Sequence, residues 1–235
     1  MVDLTLQQVT DNVQRVRERM ALAALRAHRQ PEDILLCAAS KARSSQQVRQ
    51  AAQTMIDLFG ENRMQEMRAH FRDGAYLDKP CHFIGQLQTN KVRQVVGQAA
   101  MIHSVGSLRL LNAIAKEAAK QRISQPVLIQ INLGQEDSKA GIAEAELRPV
   151  LEAAAQLPQV VVRGLMAIPP PTPTGEQARP YFARLRALME QARGWQLQGL
   201  QLDTLSMGMS DSFEAAILEG ATLVRVGRDI FGERT

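Results

Sequence analysis

The feature that most constrains this chain is an alternation: short apolar runs separated by longer connecting stretches, repeated eight times after one opening helix. The runs fall at Ile34 to Ala39, Met55 to Phe59, Cys81 to Ile84, Met101 to Ser104, Val127 to Leu133, Val160 to Ala167, Thr204 to Ser206 and Thr222 to Val226. Among the connecting stretches, Ser107 to Arg122, Ala143 to Gln156 and Gln177 to Arg193 are amphipathic. The opening segment, from about Leu4 to His28, repeats Leu6, Val9, Val13, Val16, Met20 and Ala23 at helical spacing. A strand that rejoins its neighbour in the same direction needs a crossover, so this order argues for parallel pairing. Eight such units fit a closed (β/α)8 barrel, an α/β fold of the TIM type with an extra N-terminal helix. At 235 residues with 45% hydrophobic content, residues 1–235 read as a single domain around one core. The alternative, an open doubly wound sheet, would want a glycine-rich phosphate turn after its first strand, and G-x-G-x-x-G is absent. The stretch "PPPTPTG" (Pro169 to Gly175) is too short for a linker and reads as a stiff loop at the barrel mouth.

Composition excludes several function classes. The net charge of +4 is spread along the chain, which suits anionic small molecules, and no aromatic platform supports nucleic-acid binding. The arginines of the opening helix (Arg15, Arg17, Arg19, Arg26, Arg29) read as a solvated face. Cys37 and Cys81 lie in apolar runs without zinc spacing, so buried thiols in a reducing compartment are expected. His28, His70, His82 and His103 form no metal-binding cluster in sequence. The amino terminus lacks a basic region followed by an apolar one, and no segment approaches about eighteen apolar residues, so a soluble cytoplasmic protein is expected.

The carboxyl ends of barrel strands form one face, where the chemistry of such folds sits. Lys41 closes the first run, in line with Leu35, Cys37 and Ala39, whereas Leu36, Ala38 and Ser40 point the other way. An isolated strand-end lysine usually reaches into water, so its neighbours decide its role. After the seventh run come Ser206, Gly208 and Ser210, and after the eighth Gly227 with Arg228. Backbone N–H groups opened by glycine, joined by serine hydroxyls, hold a phosphate dianion; the competing reading is an ordinary N-cap by Ser210 or Asp211. Arg225 alternates with Val224 and Val226 and points into the barrel if the valines face the helices. Its guanidinium needs an acceptor, either Asp203 in a salt bridge or an atom of a ligand. His82 ends a run and reads as a hydrogen-bonded core residue. An inward lysine, a two-loop phosphate cradle and a deep arginine outline pyridoxal 5'-phosphate (PLP). Lysine attacks an aldehyde as the neutral amine, and Arg43 and Arg225 nearby would lower its pKa.

The segments "ASK", "FGEN", "HFIGQLQTNK", "INLGQEDSKAG", "RGLMAIP" and "LSMGMSDSFEAAILEGATLVRVGRDIFG", from about residue 30 onward, resemble the YggS-type family of pyridoxal phosphate homeostasis proteins. The resemblance implies PLP fold type III, a barrel like the amino-terminal domain of alanine racemase, with Lys41 carrying the cofactor as an internal aldimine. It also implies Ser210 and the Gly227-Arg228 turn at the phosphate, Arg225 at the pyridine nitrogen, Asn62 and Met166 along the pocket, and Lys139 as a rim lysine. The chain departs from the family at Arg43, often a lysine, at Arg63, often an aromatic, at Gln86, often proline, and at Arg228, often a small hydroxyl residue.

Two functions follow. The first is a monomeric carrier that holds PLP, takes part in intracellular vitamin B6 homeostasis and passes the cofactor to PLP-dependent apoenzymes. The second is an amino-acid racemase-like enzyme. A racemase needs a second base from another domain, for which no chain is expected to remain, and Tyr76 and Tyr181 fall away from strand ends. An arginine at the ring nitrogen also weakens the cofactor as an electron sink, so the carrier is favoured. A cofactor-free Schiff-base aldolase would use Lys41 as nucleophile and is separated from both by its lack of colour.

Overall fold

The computed structural model describes residues 4–134 and 140–233. Eight parallel strands close on themselves in chain order: β1 (Leu35–Ala39), β2 (Leu58–Glu61), β3 (Cys81–Phe83), β4 (Met101–Val105), β5 (Gln125–Gln130), β6 (Val160–Met166), β7 (Thr204–Ser206) and β8 (Leu223–Val226). The barrel is sealed by β1 against β8, where Cys37 lies opposite Arg225. Around it run α1 (Leu6–Arg26), α2 (Ser45–Ala52), α3 (Met64–Arg72), α4 (Leu108–Gln121), α5 (Leu147–Ala155), α6 (Arg179–Gly194), α7 (Phe213–Leu218) and α8 (Arg228–Phe231). The crossover after β3 is made by a 3-10 turn, Thr89–Gln94, in place of an α-helix.

Strand alternation divides the buried residues into two populations. Leu36, Ala38, Phe59, Ile102, Val162, Val224 and Val226 belong to the large core between barrel and helices. Cys37, Leu58 and Leu223 form a small cluster inside the barrel, and Met101, Leu128 and Met166 form another. Each large apolar side chain so buried contributes roughly 1.5–3 kcal/mol.

The extra helix α1 starts with a capping box, in which Thr5 and Gln8 bond each other's backbone N–H groups. Its Val9, Val13, Val16, Met20 and Ala23 are buried against the barrel's last helices. Arg15 and Arg26 of α1 are exposed as expected, whereas Arg17 and Arg19 depart from the solvated face. Arg19 bonds Glu214 and Asp229 and lies over the Phe213 ring, while Arg17 bonds Asp57 and the Met55 carbonyl. Beyond the helix, Arg29 bonds the Ala221 carbonyl. These side chains clamp α1 to the turn before β2 and to the last two helices.

Two strands shift from their expected positions. β2 begins at Leu58 because Asp57, whose carboxylate accepts from the Leu36 N–H at 2.6 Å and pairs with Arg17, terminates the turn before it. Met55 is accordingly exposed and Glu61 becomes a strand residue. β5 ends at Gln130 because the chain then turns to pair with the segment after it: Ile131 bridges Ile142, and the Asn132 N–H donates to the Ile142 carbonyl. Among the described residues no helix is long and apolar enough to cross a membrane, and no group of three metal-ligating side chains gathers.

Candidate functional site

At the carboxyl ends of the strands lies a cavity of about 230 Å³ lined by Lys41, Asn62, Ser210, Arg225, Gly227 and Arg228, among others. Strand phase explains how residues so far apart in sequence meet. Gly60 and Asn62 share the inward face of β2, as Leu223, Arg225 and Gly227 share that of β8. β1 itself ends at Ala39, which also lines the cavity, so Lys41 sits in the following turn rather than on the strand. Ala42 holds that turn in the left-handed region at φ 59, and two residues later Ser44 caps α2 in a Ser44/Gln47 capping box.

The loops after β7 and β8 interlock. Gly208, at φ +90, accepts from the Arg225 N–H at 3.0 Å, and a Cβ there would lie 2.7 Å from Ala216 Cβ. Gly227 lets β8 approach β1, since an added Cβ would be 3.1 Å from the Ala39 carbonyl oxygen. Ser210 does not cap α7, which starts from Ser212; its hydroxyl faces the Asp229 N–H at 3.5 Å instead. Arg228 pairs with Asp211 across the two loops.

Arg225 does not pair with Asp203. Asp203 is partly exposed and is held by Arg163, with contacts down to 2.5 Å. The buried Arg225 guanidinium donates to the Ser206 hydroxyl and, at 3.0 Å, to the Ala167 carbonyl. Burial without a carboxylate pushes its pKa down to about 10, so it keeps its charge at neutral pH. Behind it the bonds continue: His103 Nδ1 lies 3.0 Å from Ser206 Oγ, and His103 Nε2 lies 2.9 Å from His82 Nδ1. A guanidinium only donates, so Ser206 accepts from Arg225, and its hydroxyl and the two imidazoles continue the chain of bonds behind it. Burial lowers the pKa of His82 to about 4 and that of His103 well below its ordinary value, so both rings are neutral at neutral pH.

Six of the expected site residues thus line one cavity. Ser206 lies behind Arg225 as its acceptor, and Met166 packs with Met101 and Leu128 inside the barrel. Lys139 lies outside the described residues. Arg43 donates to the Gly232 carbonyl at 2.6 Å and lies over the Phe231 ring. Sequence reasoning missed His103, and with it the fact that His82 is not a lone histidine. The signal was phase: His82 lies between Cys81 and Phe83 of the outer core, and His103 follows Met101 by two residues, so both face inward.

The arrangement fits PLP on its own chemistry. Asn62 Oδ1 is buried with no hydrogen-bond partner among the described residues, an acceptor awaiting a donor. The cavity wall carries three cations, Lys41, Arg225 and Arg228, against the single carboxylate of Asp211. Such an excess favours an anionic ligand.

Comparison with known proteins agrees. Residues 4–235 match the family model described as alanine racemase, N-terminal domain. The pyridoxal phosphate homeostasis protein of Aquifex aeolicus is 41% identical over 224 residues, covering 95% of this chain and 97% of its own. PipY of Synechococcus elongatus, solved with PLP bound, superposes with a TM-score of 0.80 at 37% identity, covering 92% of this chain and all of its own. An alanine racemase of Clostridium difficile shares the fold, with a TM-score of 0.71 at 15% identity over 97% of this chain and 57% of its own. With a lysine turn, a two-loop cradle and an inward arginine at one barrel mouth, and with these relatives matched along nearly the whole chain, the protein belongs to the pyridoxal phosphate homeostasis family of alanine-racemase-like barrels.

Proposed function

We propose that this chain, as one domain over residues 1–235, binds PLP in the β1/β7/β8 cavity, holds it covalently through Lys41 and serves as a carrier in vitamin B6 homeostasis. The observation that carries the reading is the convergence of Lys41, Asn62, Ser210, Arg225 and the Gly227-Arg228 turn on one cavity. The cofactor supplies an electrophilic aldehyde and a phosphate dianion. Lys41 meets the first as a neutral amine, a form favoured by the Arg225 and Arg228 charges in the same wall. Ser210 and the backbone at Gly227 and Arg228 would hold the second, and Asn62 Oδ1 would accept a hydrogen bond from a donor on the ring. Arg225 would donate to the ring nitrogen, an arrangement that disfavours its protonation and weakens the ring's power to withdraw electrons.

A carrier is favoured over a racemase by the same wall. Its titratable members among the described residues are Lys41, Asp211, Arg225 and Arg228, and Asp211 is engaged by Arg228. Tyr76 is buried against Glu61, and Tyr181 lies in α6. No second base stands opposite Lys41 in that lining. The reading extends to a soluble, monomeric, cytoplasmic protein that hands its cofactor to PLP-dependent apoenzymes.

Borohydride reduction followed by peptide mass spectrometry tests the attachment: pyridoxyl phosphate is expected on Lys41, and Lys41→Ala should be colourless. A label chiefly on Lys91 or Lys139 would overturn the assignment. Turnover of any amino acid at about one per second or more, lost in Lys41→Ala, would make the protein an enzyme.

A further inference from the structure

Behind the Lys41 turn, on the helix-facing side of the barrel, lies a polar cluster that the cavity does not use. Glu61 is fully buried, and one of its oxygens, Oε1, sits 2.6 Å from Ser40 Oγ, 2.8 Å from His70 Nδ1 and 3.1 Å from the Tyr76 hydroxyl. The other, Oε2, is buried without a hydrogen-bond partner among the described residues. His70 Nε2 lies 3.1 Å from the Arg43 carbonyl oxygen. The two ends of the cluster therefore grip Ser40 and Arg43, the residues on either side of Lys41 and Ala42. A third contact comes from the same unit: the Glu66 carboxylate accepts from the Ala42 N–H at 3.1 Å. The Arg43 N–H closes the turn onto the Ser40 carbonyl at 3.1 Å.

The protonation state follows from the contacts. A carbonyl oxygen only accepts, so His70 Nε2 carries a proton. Glu61 Oε1 faces three groups, two of them hydroxyls that can donate to it, and its bond and charge favour a second proton on His70, at Nδ1. Burial pulls His70 toward the neutral form, and the Glu61 bond and charge with the Arg43 carbonyl outweigh it, raising its pKa. The groups facing His70 are Glu61 from β2, the Arg43 carbonyl from the turn and the Tyr76 hydroxyl at 3.4 Å, with Glu66 and Asp73 near its own helix.

Burying such a pair is costly, and apolar residues would stabilise the core as well. What the pair supplies instead is geometry. Ala42, a residue with a Cβ, stands at φ 59, a conformation that has to be imposed from outside. We propose that Glu61 and His70, with Glu66, are positioning residues for Lys41: they latch its turn from both flanks and aim the amine at the cavity. The inference rests on the reading of Lys41 as the attachment point and deepens it.

The test compares wild type with His70→Asn, Glu61→Gln and Glu66→Gln. Two ligands are titrated: PLP, and pyridoxine 5'-phosphate, which lacks the aldehyde and cannot join the lysine. Affinity for pyridoxine phosphate should stay within about twofold, whereas that for PLP should fall about tenfold or more in His70→Asn, the signature of a misaimed nucleophile. In the ligand-free chain, hydrogen exchange at the Ala42 and Arg43 amides should quicken in all three variants. The PLP-affinity difference between wild type and His70→Asn should narrow as the pH rises above the His70 pKa. Should Glu61→Gln fail to fold, His70→Asn, the partly exposed Glu66 and the wild-type pH profile still decide. Equal loss for both ligands, or unchanged exchange at Ala42 and Arg43, would overturn the latch. A wild-type borohydride label away from Lys41 would instead overturn the reading beneath it, so the two failures are distinct.

Discussion

Arg225→Leu sets two opposing stability terms against one uncompensated loss of binding. The wild-type guanidinium is buried without a carboxylate, and the lowering of its pKa to about 10 corresponds to a penalty on the order of 3 kcal/mol on its charged form at neutral pH. Leucine removes that penalty. It also strips the Ser206 hydroxyl and the Ala167 carbonyl of their donor, at about 1–3 kcal/mol for each buried group left unsatisfied. The terms oppose one another, so the ligand-free variant should unfold within about 3 kcal/mol of wild type in urea. Cofactor binding has no such compensation. A donor lost from a ring nitrogen costs roughly 1.5–3 kcal/mol, a fall of about ten- to a hundredfold in PLP affinity by direct titration. The bound cofactor's spectrum should shift as well. An apoprotein destabilised by much more than about 3 kcal/mol with unchanged affinity would refute the argument and make Arg225 a structural residue.

Ser210→Ala should lower PLP affinity by roughly 1.5–3 kcal/mol while leaving the ligand-free melting temperature unchanged, because Ser210 does not cap α7 and its bond to Asp229 is long. Gly208→Ala should cost about 3 kcal/mol in chemical denaturation, since its Cβ would strike Ala216 and Phe213 at a backbone angle unfavourable to alanine. The pH dependence of stability has two limbs. His70, raised in the folded chain, contributes in full below its ordinary pKa near 6.5 and loses that contribution as pH rises through its folded value; His70→Asn should flatten this alkaline limb. His82 and His103, lowered by burial, weaken the fold as pH falls below about 6.5, because the unfolded chain then binds protons the native one refuses; His82→Phe should reduce this acid limb in denaturant titrations across pH.

Some of this architecture was legible in residue order. Strand and helix periods are local properties, readable within about ten residues, so the alternation of the chain, the opening helix and the inward phase of Arg225 followed from spacing. Placing the carboxyl ends of parallel strands on one face then gathered Lys41, Ser210, Arg225, Gly227 and Arg228, and the family resemblance added Asn62. Local signals also misled where a tertiary contact competed with them. The shift of β2 to Leu58–Glu61 depends on Asp57 meeting Arg17 and the Leu36 N–H, contacts no short window contains.

What only the tertiary structure decided were the partners of buried polar groups. Asp203 immediately precedes β7, the strand beside Arg225, yet Arg163 takes its carboxylate, and Arg225 turns to Ser206. His103 and Ser206 are 103 positions apart, and Ser40, just after β1, and Glu61, on β2, are 21 apart. Sequence determines that such residues exist and which way each one faces. Which donor finds which acceptor depends on barrel closure and on strand register, because a hydrogen bond is decided by a few tenths of an ångström that periodicity does not encode.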